Sequence, residues 1–155
     1  MPPEGGSPED PREWLRRARS NLARSSQGQA TPDVLFEDVC FDAQQAVEKA
    51  LKALLVLRSV QVPRTHAISE LITMLAELGF EIPADVQDAS ALTDYAVAAR
   101  YPGLSEPVLI EDYEKAVAIA TAVVSWASGM IFEDRQRVTA IWRGIAPSSY
   151  AALTV

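Results

Sequence analysis

Residues 40–55 read CFDAQQAVEKALKALL, a helical run that is strongly apolar along one side and carries mixed charge along the other. The pattern extends on both sides, so a helix is predicted from about Asp33 to about Ser59. At about 100° per residue, Phe36, Val39, Cys40, Ala43, Val47, Ala50, Leu51, Leu54 and Leu57 share one broad arc, the expected core. Gln44, Gln45, Glu48 and Lys52 fall on the opposite flank with Phe41 among them, and Lys49 sits beside Asp38 and Asp42. A solvated face needs charges but no aromatic ring, so this wet flank is expected to be an interface.

The neighbouring segments follow the same helical period. Trp14, Leu15, Ala18 and Leu22 make an amphipathic helix ending near Ser26, with Arg16, Arg17, Arg19 and Arg24 on its other faces. Ile68, Leu71, Ile72 and Leu75 define a helix beginning near His66, and Gly79 stands where a stop is expected. After Pro83, Val86, Ala89, Leu92 and Ala96 predict a further helix from about Ala84 to Ala99. The loop RYPGLSEP breaks it before a last long helix from about Ile110 to Phe132, striped by Tyr113, Val117, Ala120, Val124, Ala127 and Ile131. With no alternating strand pattern and no repeat, the prediction is an all-α, up-and-down bundle of about five helices. The expected divisions are a disordered lead-in at 1–12, the bundle at 13–133, and an extension at 134–155 with a short helix around Gln136 to Arg143.

Hydrophobic residues make up 48% of the 155 residues and charged residues 23%, which is globular composition. A net charge of −7 argues against non-specific nucleic-acid coating. The arginines of the first helix read as solvated surface. The start of the chain lacks a signal-peptide pattern, and no run of about 18 apolar residues suggests a membrane span. The lone Cys40 can make no internal disulfide, and a cytoplasmic setting is expected.

Chemistry is sparse. One histidine and one cysteine exclude a multi-histidine or thiolate metal site, and no Gly-rich loop follows a strand, so no metal or cofactor is expected. No nucleophile elbow accompanies His66. Arg64, Thr65 and His66 stand at a predicted helix N-terminus, which suits an anion; the plainer reading has Thr65 capping the helix and His66 making one structural hydrogen bond. Tyr95, Arg100, Tyr101 and Pro102 form a second candidate group. There Arg100 either forks a phosphate or pairs with an acid such as Glu48, and Tyr101 either stacks on a ligand or closes the corner.

The ordered set CFDAQQAVEKALKALL, PRTHAISEL and YAVAARYPG, preceded by WLRRARSNL, resembles the HEPN family ("higher eukaryotes and prokaryotes nucleotide-binding" domains) in its prokaryotic stand-alone form. The resemblance implies a helical bundle, a homodimer, and a nucleotide ligand or a minimal nucleotidyltransferase partner. It implies family-like positions at Gln44, Gln45, Glu48, Lys49, Lys52, His66, Arg100, Tyr101 and Pro102, which the residue patterns also isolate; with Arg64 and Tyr95 from those patterns, the candidate binding set is Gln44, Glu48, Lys52, Arg64, His66, Tyr95, Arg100 and Tyr101. Ribonucleases of the family carry an arginine followed four to six residues later by a histidine. This chain has no such pair: His66 stands too close to Arg64 and too far from Arg58. The expectation is therefore a non-catalytic binding module. A divergent ribonuclease toxin using His66 with Arg64 or Arg100, and a purely structural adaptor, are the alternatives.

Overall fold

A computed structural model describes residues 6–99, 101–103 and 106–144. It is all-helical among those residues: α1 (Pro11–Ser26), α2 (Phe36–Leu57), α3 (Ile68–Glu77), α4 (Ala84–Gln87), a 3-10 segment (Asp88–Asp94), α5 (Tyr95–Ala98) and α6 (Ile110–Trp142). Counting α4 to α5 as one broken helix, the bundle has the expected five helical units.

Helix α2 is the hub. It is enclosed by α1, α6, α3 and the α4–α5 unit, and from Val39 to Leu55 only Phe41, Gln45 and Lys49 keep partial exposure. Ala46, Ala53 and Leu55, outside the predicted arc, are buried as well. Helix α1 runs antiparallel to α2, with Ser25 Oγ donating to the Val39 carbonyl at 2.7 Å. Helix α6 runs antiparallel to α1: the Tyr113 hydroxyl donates to the Ser25 carbonyl at 2.7 Å, and Arg19 reaches Ser128 at 2.6 Å. It follows that α6 lies parallel to α2, a departure from a strict up-and-down order.

Three other boundaries differ from expectation, each for a local reason. Helix α1 begins at Pro11 because proline suits the first helical position and Asp10 caps it, accepting from Arg12 N at 2.9 Å. The predicted helix from Ala84 to Ala99 is interrupted by a 3-10 segment, which turns through three residues per turn. Val86, Ala89 and Leu92 are spaced by threes, so the tighter winding puts all three on one buried side. Helix α6 runs unbroken to Trp142, with no separate short helix beyond Phe132.

The same helix revises the expectation about apolar runs. Its most apolar 18 residues have a mean hydropathy of 1.6, enough by length and composition to cross a membrane. Ala, Gly, Ser and Thr dilute that run and hide it from inspection. Its Ala116, Ala120, Val123, Val124, Ala127 and Ile131 are buried in the bundle, and α2 is its principal neighbour.

Two helix ends use the same stop. At α3, the Gly79 and Phe80 N–H groups bond back to the Ala76 and Leu75 carbonyls, with Gly79 at φ 94°. At α2, Ser59 and Val60 bond back to Val56 and Leu55, but the left-handed residue is Ser59 at φ 57°. Its Cβ is strained there by about 1 kcal/mol. Replacing Ser59→Gly is expected to raise the thermal midpoint by about 3 °C, measured by circular dichroism; an unchanged or lower midpoint refutes the strain.

Candidate functional site

The polar flank of α2 is inside the protein. Gln44 is 0% exposed, Glu48 4% and Lys52 7%, so the sequence-based expectation of a wet face is overturned. The cause is the packing of α1, α6, α3 and the α4–α5 unit round α2, with the chain that follows α2 bringing His66 against Glu48. After Leu57 the chain turns at Ser59 and runs back along α2 without helix to His66. Nine residues of α2 rise about 14 Å, a distance that nine less compact residues span easily. His66 thereby returns to the level of Glu48.

Glu48 is the centre of the group. Spacing of four on one helix face puts Gln44 below it and Lys52 above it. Lys52 Nζ donates to Glu48 Oε1 at 2.6 Å, and Gln44 Nε2 donates to Oε2 at 3.0 Å. Gln45 Nε2 is shared between Gln44 Oε1 at 2.8 Å and Glu48 Oε2 at 3.3 Å. His66 Nδ1 lies 3.1 and 3.2 Å from the two carboxylate oxygens. Burial works against the charge on Glu48, but the hydrogen bonds from Lys52 and Gln44, the Lys52 charge and the His66 contact outweigh it and hold the carboxyl below its usual range.

An ionised carboxylate only accepts, so the proton of His66 sits on Nδ1. The imidazole side chain is 62% exposed, which leaves Nε2 as the one nitrogen free to meet solvent or a ligand. Arg64, two residues earlier, is exposed and makes no ion pair or side-chain hydrogen bond among the described residues. Lys52 is committed to Glu48, so the outward chemistry belongs to His66 and Arg64.

The other expected residues stand apart. Tyr95 is half-buried against the core, its hydroxyl raised by burial and then by the charges of Cys40, Asp112 and Asp94; no hydrogen bond links it to Glu48. Tyr101 is 55% exposed, and Arg100 lies outside the described residues. Glu48, offered as a partner for Arg100, is held by Lys52 and His66. The expected anion site at the start of α3 is already occupied by side chains. Helix α3 begins at Ile68, Thr65 Oγ1 accepts from Ala67 N at 3.1 Å, and Thr93 Oγ1 accepts from Ile68 N at 3.3 Å.

A second polar group escaped sequence reasoning. Asn21 of α1 donates to Asp42 at 2.9 Å and accepts from Lys49 Nζ at 2.7 Å, while Arg24 pairs with Asp42 at 3.4 Å. Burial first, then the charge of Arg17, lowers the Lys49 pKa, with Glu48 and Asp42 opposing. Asp42 and Lys49 are two turns apart on one face, which was visible; their partner on α1 was not. Among the described residues no group of three or more His, Cys, Asp or Glu is placed to hold a metal. A groove of about 770 Å³, lined by Pro8, Trp14, Val56, Val60 and Val62, shares no residue with the Glu48 group.

The fold and the buried acid together define a helical-bundle domain organised round one polar helix. Residues 11–130 match the HEPN domain, and the chain belongs to that family. It is similar to the crystal structure of an archaeal HEPN homologue, with 26% identity over 79% of this chain and 98% of that one, at a TM-score of 0.63. No curated protein matches the chain.

Replacing Glu48→Gln leaves the Lys52 charge buried without its counter-ion, and a loss of about 3 kcal/mol is expected in urea unfolding at neutral pH. The folded-state pKa of Glu48 is lowered. Its contribution is therefore complete above the ordinary carboxylate range and lost as pH falls through the folded value. The gap between wild type and variant should shrink on acidification, while Glu48→Met with Lys52→Met recovers most of the loss. A gap that does not depend on pH would contradict this account.

Proposed function

We infer that this HEPN domain is a non-catalytic binding module that works as a homodimer. It takes a nucleotide, or part of a nucleotidyltransferase partner, against the surface where His66 and Arg64 face solvent above Glu48. The observation that carries this reading is the buried carboxylate that orients a largely exposed imidazole through Nδ1. A phosphate or carboxylate arriving at Nε2 meets a ring that can take up a proton with Glu48 as its counter-ion, and Arg64 supplies a planar fork beside it. The acidic balance of the rest of the chain, −7 overall, favours such a local contact over a long nucleic-acid track. A cytoplasmic setting belongs to the same proposal.

Titration calorimetry with ATP, GTP, NAD and a short RNA tests it. Heat is expected with at least one of them, and His66→Ala or Arg64→Ala should weaken that affinity roughly tenfold or more. Absence of heat with all four, in folded protein, removes the nucleotide reading and leaves the protein partner.

One observation favours an enzymatic second reading. An imidazole oriented by a carboxylate, with its other nitrogen open, is the arrangement of a general base, and it could remove the 2′-hydroxyl proton of RNA with Arg64 near the phosphate. Cleavage of total RNA by the wild type, abolished in His66→Ala and retained in the surface variant Glu77→Ala, would establish it. Intact RNA ends it.

A further inference from the structure

The charges round His66 do not suit every anion alike. Glu48 and Lys52 carry opposite charges at 2.6 Å, so that buried pair sums to zero. Lys49, next along α2, is turned to α1, where Asn21 accepts from it. Glu48 is the acid within ion-pair range of the ring, while Glu70 on α3 and Asp94 on the 3-10 segment make no ion pair among the described residues. The Tyr95 phenol of α5, its pKa raised by burial, stays neutral. With the ring neutral, the uncompensated charge at this surface among the described residues is therefore the guanidinium of Arg64.

Arg64 and His66 work from one side of the chain. Both are exposed and Thr65 between them is half-buried, the alternation expected of extended backbone. The inward residue pins the segment: Thr65 Oγ1 accepts from Ala67 N at 3.1 Å, and just beyond it Thr93 Oγ1 accepts from Ile68 N at 3.3 Å. Glu48 holds the ring through Nδ1, 3.1 and 3.2 Å from its oxygens, which leaves Nε2 to the outward side that Arg64 shares.

This arrangement separates two kinds of phosphate. A phosphodiester carries one negative charge, which Arg64 alone matches. The ring then has no cause to charge, and with its proton on Nδ1 its Nε2 is an acceptor that offers a phosphate oxygen nothing. A phosphate monoester carries close to two negative charges above its second pKa of about 6, and Arg64 leaves one of them over. A proton taken from solvent onto Nε2 answers both needs: it adds the second positive charge and turns the nitrogen into a donor for a charge-assisted hydrogen bond. Burial opposes the charge on Glu48, yet the hydrogen bonds from Lys52 and Gln44 keep that carboxyl ionised, so the incoming proton settles on the ring.

The geometry points to a terminal phosphate, a monoester dianion, as the group recognised at His66 and Arg64, taken up together with one proton that settles on Nε2. This rests on the nucleotide part of the functional reading and specifies which end of the nucleotide the surface holds. Internal phosphodiesters, as along an RNA strand, are the poorer ligand.

Titration calorimetry with AMP and NAD tests it, because NAD contains the same adenosine phosphate with its monoester end converted to a diester. AMP should bind roughly tenfold or more tightly than NAD. Its affinity should fall roughly fivefold between pH 7 and pH 8, a window in which the ring changes charge and the ligand scarcely does. Heats compared in Tris and in Mops, buffers that differ in ionisation enthalpy, should count about one proton taken up per AMP. His66→Gln, whose amide can still donate to Glu48, should keep its helicity and bind AMP more weakly, with neither the pH dependence nor the proton uptake. NAD bound as tightly as AMP, AMP bound without proton uptake, or a pH dependence that survives in His66→Gln each overturns this inference and leaves the nucleotide reading standing. AMP that gives no heat overturns it alone where ATP or GTP binds, and overturns both where neither does.

Discussion

A carboxylate inside a helical bundle loses several kcal/mol of hydration unless other groups replace the water, and much of the local architecture answers that requirement at Glu48. Three of its partners, Gln44, Gln45 and Lys52, come from its own helix by spacing alone. The fourth, His66, requires a path. The left-handed turn at Ser59 reverses the chain, residues 58–66 run back along α2, and Thr65 with Thr93 satisfies the backbone N–H groups that follow. The hydrogen bond from Ile68 to Thr93 ties this return to the broken α4–α5 unit. Strain at Ser59, the side-chain capping of α3 and the placement of the 3-10 segment thus belong to one chain of dependence.

Periodicity revealed which residues are apolar-facing and where helices stop, because these are local properties. Ile68, Leu71, Ile72 and Leu75 are all buried, and Gly79 ends α3 in the left-handed conformation. What periodicity cannot show is how many sides of a helix are covered. Helix α2 carries polar residues on one flank, and amphipathic logic assigns such a flank to water; enclosure by the other helices and by the chain that returns to His66 makes it interior instead. The same blindness hid the network of Asn21, Asp42 and Lys49, whose members come from two helices. Of the residues singled out for binding, the fold joins Gln44, Glu48, Lys52 and His66 through hydrogen bonds. It leaves Arg64, Tyr95 and Tyr101 outside that network, because their positions depend on loop paths that side-chain patterns do not encode.

Helix α6 shows the limit from the other direction. The apolar run looked like a core helix, and a third of its most apolar 18 residues is indeed buried in the subunit. Ala118, Ser125 and Gly129 on its outer side are small, so that side is apolar in composition without presenting a large greasy patch. The large exposed apolar side chains, Phe132, Val138, Ile141 and Trp142, gather beyond the bundle.

The two buried polar groups of α2 do different physical work. Asn21, Asp42 and Lys49 join α1 to α2, so sliding one helix against the other by a turn would strand buried donors and acceptors; the group fixes register more than it adds stability. In the Glu48 group, Gln44, Glu48 and Lys52 are all buried, and both carboxylate oxygens accept hydrogen bonds. The imidazole is the most exposed member of this group, with Gln45 partly exposed beside it. The α2 interior therefore meets the surface chiefly through His66, whose Nδ1 is held by Glu48 and whose Nε2 is left to face outward.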